Sequence, residues 1–142
     1  MGAPDDWLYE YALVRYMPRA DRGESVNIGL VMMNKRRKWI RGKIRLDDKK
    51  ILALNPDADL EFLNRQGRLF EKDDVPEKDL PVEEKYRWLT AVKSACIRVS
   101  PSHPGIVSNN IADQVAKDLE ETITPADIMD LEFDRLFKAL VM

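Results

Sequence analysis

Hydrophobic and polar residues near the start of the chain form two apolar runs on either side of a break. The runs are Leu8 to Met17 and Val26 to Met33, and both are rich in aromatic and branched side chains, which favour strands over helices. Between them lie Pro18, Asp21 and Gly23, residue types that preset or permit the backbone angles of turns. The pattern predicts a β-hairpin with a loop longer than two residues.

Alternation along a strand assigns its side chains to two faces. In the first strand it places Ala12, Val14 and Tyr16 opposite Tyr9, Tyr11, Leu13 and Arg15. In the second strand it places Val26, Ile28, Leu30 and Met32 opposite Asn27, Gly29, Val31 and Met33. Neither face of the second strand is strongly polar, so we expect a central strand covered on both faces.

A third strand is predicted at Trp39 to Leu46, where apolar and basic residues alternate. One face carries Ile40, Gly42, Ile44 and Leu46, and the other carries Trp39, Arg41, Lys43 and Arg45. The short connections predict an antiparallel meander over about residues 7–46. A brief strand at Ile97 to Val99 is a candidate for the sheet edge.

Helix start signals recur in the remainder of the chain, over about residues 55–142. They lie at Asn55-Pro56, near Pro81 to Glu84, at Asn110 with Asp113, and at Thr124-Pro125. Ser102 to Asn110 is predicted to be a loop. The fold expected is a single α+β domain spanning residues 1–142, with a three- to four-stranded antiparallel meander followed by about four helices packed on the sheet. The two apolar faces of the second strand leave room for a further layer or a homodimer.

Three motifs carry a resemblance to a known family. They are Y-x-x-V-R-Y-x-P followed by R-G-E-x-V-N-I-G, ending at Gly29; W-L-T-A-V-K-S with I-R-V-S-P, between Trp88 and Pro101; and L-F-K-A-L-V at Leu136 to Val141. Together they resemble the bacterial domain-of-unknown-function 3037 family, although residues 105–123 depart from its pattern. The resemblance implies a small intracellular bacterial protein without an assigned reaction. Some members are encoded near a kinase-like protein of the toxin type, which implies a protein partner.

Composition restricts the class of protein. The chain of 142 residues is 44% hydrophobic and 34% charged, which is typical of one soluble globular domain. A single cysteine indicates a reducing compartment rather than a disulfide framework. The first residues have no signal-peptide pattern, and no apolar run reaches membrane-spanning length. We therefore expect a cytoplasmic protein that does not enter a membrane.

Catalytic and cofactor chemistry finds little support in the sequence. Cys96 and His103 are the only residues of their types, and a cysteine at the apolar end of a helix is usually a packing residue. They also cannot complete a tetrahedral zinc shell without carboxylates. Neither a GxGxxG motif nor a P-loop occurs. No catalytic residue, metal or cofactor is predicted, and a role other than that of an enzyme is favoured.

An anion pocket is one functional hypothesis for the first hairpin. It would consist of Arg15, Arg22, Glu24 and Asn27, since arginines bind carboxylates and phosphates through paired hydrogen bonds. The alternative is structural: Glu24 and an arginine hold the loop, and Asn27 bonds to backbone groups.

The strongest surface signal is a basic turn that continues into the third strand. It comprises Lys35, Arg36, Arg37, Lys38, Trp39, Arg41, Lys43 and Arg45. Residues 1–50 carry a net charge of +5 and the rest of the chain −7, so this surface could attract an acidic partner. Cations and an aromatic ring also suit a nucleic-acid strand. The plain alternative is protection of a sheet edge from aggregation.

These observations rank three functions. A non-catalytic protein-binding or accessory module using the basic strand comes first. A nucleic-acid-binding module using the same residues is second, although the acidic isoelectric point near 5.5 argues against it. The third is an enzyme or enzyme subunit with an anion site at the first hairpin.

Overall fold

The computed structural model describes residues 7–71, 80–91, 94–107 and 124–142. These residues contain five strands and four α-helices: β1 Leu8–Tyr16, β2 Val26–Asn34, β3 Trp39–Ile44, α1 Asp48–Leu54, α2 Leu60–Gly67, α3 Val82–Thr90, β4 Ile97–Val99, β5 His103–Ile106 and α4 Pro125–Leu140. A 3-10 turn, Arg68–Phe70, follows α2. The α+β class is confirmed. The helix predicted near Asn110 and Asp113 lies outside the described residues.

All strand pairs are antiparallel, and the sheet order is β3-β2-β1-β4, with β5 also paired to β1. The predicted meander is therefore confirmed, as is the small edge strand at Ile97–Val99. The prediction of a loop throughout Ser102 to Asn110 is wrong, because residues 103–106 form β5. Pro104 and Gly105 suggested a loop, but an edge strand tolerates proline, which cannot donate a backbone hydrogen bond.

A β-bulge interrupts the pairing of β2 with β1 near the start of β2. Val14 lies opposite Gly29 while Arg15 lies opposite Asn27, so Ile28 is the extra residue. Ile28 consequently packs on one face with Val31, whereas Leu30 packs on the other. The prediction that Ile28 and Val26 share a face with Leu30 and Met32 is wrong, since the bulge reverses the alternation at this point.

Both faces of the sheet are covered by helices. On one face, α1, α2, the 3-10 turn and α3 supply the buried side chains Ile51, Leu63, Phe70, Tyr86 and Leu89. On the other face, α4 supplies Ile128, Met129, Phe133 and Phe137. Every residue of β2 from Ile28 to Asn34 is buried between them, so the central position predicted for this strand is confirmed. The further layer that its second apolar face required is α4.

The helix boundaries between residues 47 and 60 differ from the prediction. Asp47 caps an unpredicted helix, α1, by accepting hydrogen bonds from the backbone N–H groups of Lys49 and Lys50 at 3.1 and 3.3 Å. Asn55 ends this helix instead of starting the next. The next helix is capped by Asp59, which accepts from the backbone N–H of Phe62 at 3.0 Å. Asp47, Asn55 and Asp59 are all residue types that cap helices, so the sequence does not determine which of them begins a helix.

The last helix begins where its sequence predicts. Thr124 caps α4 through a capping box, in which its hydroxyl oxygen accepts from the backbone N–H of Asp127 and the Asp127 carboxylate accepts from that of Thr124. These backbone and hydroxyl donors lower the pKa of the Asp127 carboxyl. Its buried residues Met129, Phe133 and Phe137 are four positions apart, which is the spacing of one face of an amphipathic helix.

We expect Gly42→Ala to lower the free energy of unfolding by about 1–3 kcal/mol. A Cβ atom at this position of β3 would lie 1.9 Å from the carbonyl oxygen of Phe70, so the 3-10 turn would have to move away from the sheet. Urea unfolding measures the change. Ser25→Ala, at an exposed position just before β2, is the matched control and should stay within about 0.5 kcal/mol of wild type. Equal stability of Gly42→Ala and the control would show that the turn does not pack closely against β3.

Candidate functional site

The basic turn between β2 and β3 is held by Asn34, which is fully buried. Its side-chain oxygen accepts from the backbone N–H of Arg37 at 3.1 Å, and its amide contacts the sulfur of Met129 at 3.3 Å. Lys38 takes a left-handed backbone conformation with φ of 52°. Lys35, Arg36 and Lys38 are exposed at the turn. Arg37 is half-buried, with its guanidinium 4.3 Å from the ring centre of Trp7.

The basic face of β3 lies against α4. The Trp39 ring meets Phe133 edge-on, with 6.3 Å between ring centres. The Arg41 guanidinium lies 4.5 Å from the ring centre of Phe133, and it forms ion pairs with Asp134 at 3.3 Å and Asp130 at 3.5 Å. Lys43 places its ammonium 4.9 Å from the ring centre of Phe137. Part of the predicted contact surface therefore joins the sheet to α4.

Lys43 on β3 and Arg45 directly after the strand are exposed, whereas the side chain of Arg41 is only 34% exposed. Cations over aromatic rings contribute about 0.5–1 kcal/mol at exposed sites. The Lys43 contact thus holds its side chain only loosely. Of the eight residues in the predicted surface, five are exposed: Lys35, Arg36, Lys38, Lys43 and Arg45.

Among the described strands, β3 lies at an edge of the sheet, and its outward backbone groups can be identified. The backbone N–H of Arg45 donates to the carbonyl of Ile28 at 2.7 Å, so the odd-numbered residues of β3 bond to β2. The N–H and C=O groups of Ile40, Gly42 and Ile44 consequently point away from the sheet. Ile44 uses its N–H to donate to the Glu71 carboxylate at 3.1 Å.

The four residues of the predicted anion pocket do not come together at one place. Arg22 and Glu24 form an exposed ion pair in the β1–β2 loop at 2.7 Å, beside a shallow depression of about 220 Å³. Arg15 and Asn27 lie opposite each other in the sheet, where the Arg15 Nε donates to the Asn27 side-chain oxygen at 3.2 Å. The Asn27 amide then donates to the carbonyl of Leu140 at the end of α4, at 3.0 Å.

The sequence prediction missed Arg98, which lies directly opposite Arg15 on β4. The alternation of Ile97, Arg98 and Val99 indicates that the side chain of Arg98 projects from the face opposite Ile97. Its neighbour in the sheet could not be identified without the pairing of β4 with β1. Asn27, Arg15 and Arg98 thus form a row across β2, β1 and β4, which we call the arginine row.

A buried carboxylate links α4 to β1. Glu132 is fully buried and accepts a hydrogen bond of 2.7 Å from the Tyr9 hydroxyl. Arg135 donates to its two oxygens at 2.8 and 2.9 Å. Burial and then the bond to Glu132 raise the pKa of the Tyr9 phenol, and the same carboxylate raises the pKa of Arg135. Helical spacing from Met129 and Leu136 places Glu132 within the apolar stripe, a signal that could have identified it.

Cys96 and His103 are far apart along β1. The carbonyl of Cys96 accepts from Met17, whereas His103 pairs with Tyr11. Six residues of strand separate these positions, which is about 20 Å, so the two side chains cannot act as a nucleophile and its base. None of the helices in the described ranges is long and apolar enough to cross a membrane.

We expect Tyr9→Phe to lower the free energy of unfolding by about 1–3 kcal/mol, because the buried Glu132 carboxylate loses a donor. Tyr11→Phe is the control, since the Tyr11 hydroxyl makes no hydrogen bond within the described residues. Urea unfolding at neutral pH compares the two variants. Similar losses in both would assign the effect to the rings rather than to the bond with Glu132.

A second prediction concerns alkaline pH. Burial raises the pKa of the Tyr86 phenol from 10.0 to about 12, so the unfolded chain loses this proton before the folded protein does. The stabilisation is complete below pH 10 and is lost as pH rises towards 12, by up to about 1.4 kcal/mol per pH unit. The free energy of unfolding, measured from pH 8 to 12, should therefore decline less steeply with pH for Tyr86→Phe than for wild type. Parallel declines would contradict the raised pKa.

The comparisons with known proteins give one match, and it is to a family. No curated protein and no solved structure matches the chain. The model of a family described as "Protein of unknown function (DUF3037)" matches residues 11–123. This range contains β1 from Tyr11 onwards, strands β2 to β5 and helices α1 to α3, and it includes residues 105–123, which depart from the family pattern. The match covers most of the 142 residues, and the chain therefore belongs to the DUF3037 family of proteins of unknown function.

Proposed function

We propose that the protein is a non-catalytic protein-binding module whose contact surface is the outer edge of β3. The observation that carries this proposal is the outward direction of the N–H and C=O groups of Ile40 and Gly42. A shallow depression of about 390 Å³, lined by Trp39 to Lys43 with Glu71 and Asp130, runs along the same edge. An extended segment of another protein can bind such an edge as an additional strand.

The contact of Glu71 supports this mode of binding. Its carboxylate accepts from the outward N–H of Ile44 at 3.1 Å, which indicates that an acceptor can reach these groups from outside the sheet. Because Glu71 already occupies that position, the open part of the edge is the segment from Ile40 to Gly42. An added strand would begin beside Glu71 and extend towards the basic turn.

Charge favours an acidic partner. Lys43 on β3 and Arg45 directly after it are exposed, as are Lys35 and Lys38 at the turn. Opposite charges on neighbouring strands stabilise their pairing, and like charges oppose it. We infer that the partner presents acidic residues at alternate positions of an extended segment. The same argument disfavours a homodimer through this edge, since β3 pairing with its own copy brings its cations together.

Nucleic acid fits this edge less well than protein does. Stacking of a base requires an open aromatic face, but Trp39 is half-buried and packed against Phe133. The central cation, Arg41, is paired with Asp130 and Asp134, and these carboxylates repel phosphates. The protein as a whole has a formal charge of −2.

The test uses charge reversal of the exposed cations. Tagged wild type and Lys43→Glu/Arg45→Glu are purified from the native host with and without nuclease, and cross-linking maps the bound segment of any partner. That segment is then synthesised, and its affinity for each variant is measured. Lys49→Glu/Lys50→Glu, which makes the same charge change at exposed positions of α1, is the matched control.

We expect a nuclease-resistant partner with an acidic, extended segment that cross-links to β3. Its affinity should fall at least tenfold in Lys43→Glu/Arg45→Glu and remain close to wild type in the control. A partner that disappears after nuclease treatment would favour the nucleic-acid function instead. Equal binding by both charge-reversal variants would exclude the β3 edge as the contact surface.

A further inference from the structure

The arginine row places two arginines on adjacent strands at the edge of the sheet opposite β3. Arg15 and Arg98 are register partners on β1 and β4. On either side of this pair, the Ser100 N–H donates to the Leu13 carbonyl and the Met17 N–H donates to the Cys96 carbonyl. Arg15 and Arg98 are therefore a hydrogen-bonded pair of the antiparallel ladder, in which the two Cα atoms lie about 5.5 Å apart. Side chains opposite each other project from the same face, which here is the face covered by α4.

Within the described residues, no acidic side chain pairs with either of the two arginines. Across residues 7–71, 80–91, 94–107 and 124–142, no carboxylate lies within 4.0 Å of either guanidinium. Like charges directly opposite each other on adjacent strands destabilise the pair. An arrangement of this kind favours a ligand that supplies the missing negative charge.

Arg98 adds a second, independent observation. Its Nε atom is buried and has no hydrogen-bond acceptor in the described part of the chain. A buried donor without an acceptor costs about 1–3 kcal/mol. The Nε of Arg15, by contrast, donates to Asn27. The unmatched hydrogen-bonding capacity of the row is therefore concentrated at Arg98, its outer end.

The end of α4 does not balance the row. A helix C-terminus carries the equivalent of about half a negative charge, which is too little for two guanidinium groups. Its Leu140 carbonyl also already accepts from Asn27. Asn27 thus stands between the helix end and Arg15, and Arg98 lies one strand further away.

We infer that Arg15 and Arg98 together bind the phosphate group of a small molecule. Paired guanidinium groups donate to a phosphate through several hydrogen bonds at once, and a phosphate dianion matches two positive charges where a single carboxylate matches one. The site is independent of the proposed protein-binding edge, because β2 and β1 separate β4 from β3. Failure of one proposal leaves the other unaffected.

Calorimetric titration at constant ionic strength tests the site with inorganic phosphate and with glycerol 2-phosphate. Acetate is the carboxylate probe, and chloride controls for general screening. Arg98→Gln removes the guanidinium group whose Nε is buried, and Arg98→Lys keeps the charge without the paired donors. Arg87→Gln, at an exposed position of α3 on the other face of the sheet, is the matched control.

We expect saturable phosphate binding that weakens at least tenfold in Arg98→Gln, weakens less in Arg98→Lys and is unchanged in Arg87→Gln. Tighter binding of glycerol 2-phosphate would identify the ligand as an ester, and tighter binding of inorganic phosphate would identify it as the free ion. Absence of saturable binding to wild type, or unchanged affinity in both Arg98 variants, would overturn the proposal. Acetate binding as tightly as phosphate would also overturn it. If Arg98→Gln fails to fold, Arg98→Lys against wild type decides the question.

Discussion

Burial of β2 on both faces is the constraint on which the rest of the fold depends. Seven consecutive residues, from Ile28 to Asn34, are removed from water, and a strand of this kind needs a hydrophobic layer above and below it. Helices α1 to α3 and the 3-10 turn supply one layer. Among the described helices, only α4 supplies the other. The apolar face of α4 therefore exists to cover the second face of β2, which would otherwise be exposed to water.

The same constraint explains the behaviour of the basic strand. β3 is adjacent to β2, so a helix that covers β2 also reaches the neighbouring side chains of β3. Arg41 and Lys43 meet the rings of Phe133 and Phe137 there, and long cationic side chains can cover apolar surface while their charged ends remain in water. The basic residues of β3 look like a binding surface in the sequence, but in the folded protein some of them join the sheet to α4.

Local patterns predicted the parts of the fold that local physics determines. The meander, the faces of β1 and β3, and the capped start of α4 each follow from alternation or capping residues within a few positions. The bulge at Ile28, strand β5 and the boundary between α1 and α2 did not follow, because each depends on a partner strand or on a choice among several adequate caps. The candidate sites divide in the same way. Arg15 with Asn27 was predictable within one hairpin, whereas Arg98 joins them only through pairing across the sheet.

The position of β1 has a consequence for how the chain acquires its structure. Its first edge pairs with β2 a short distance along the chain, but its second edge pairs with residues such as Ser100, which is 87 positions from Leu13. The bond between Tyr9 and Glu132 spans 123 positions. Contacts between such distant residues form slowly, because the entropy of closing a long loop opposes them. The hairpins are therefore expected to form first, and for that interval they leave a strand edge and an apolar face open to association with other chains.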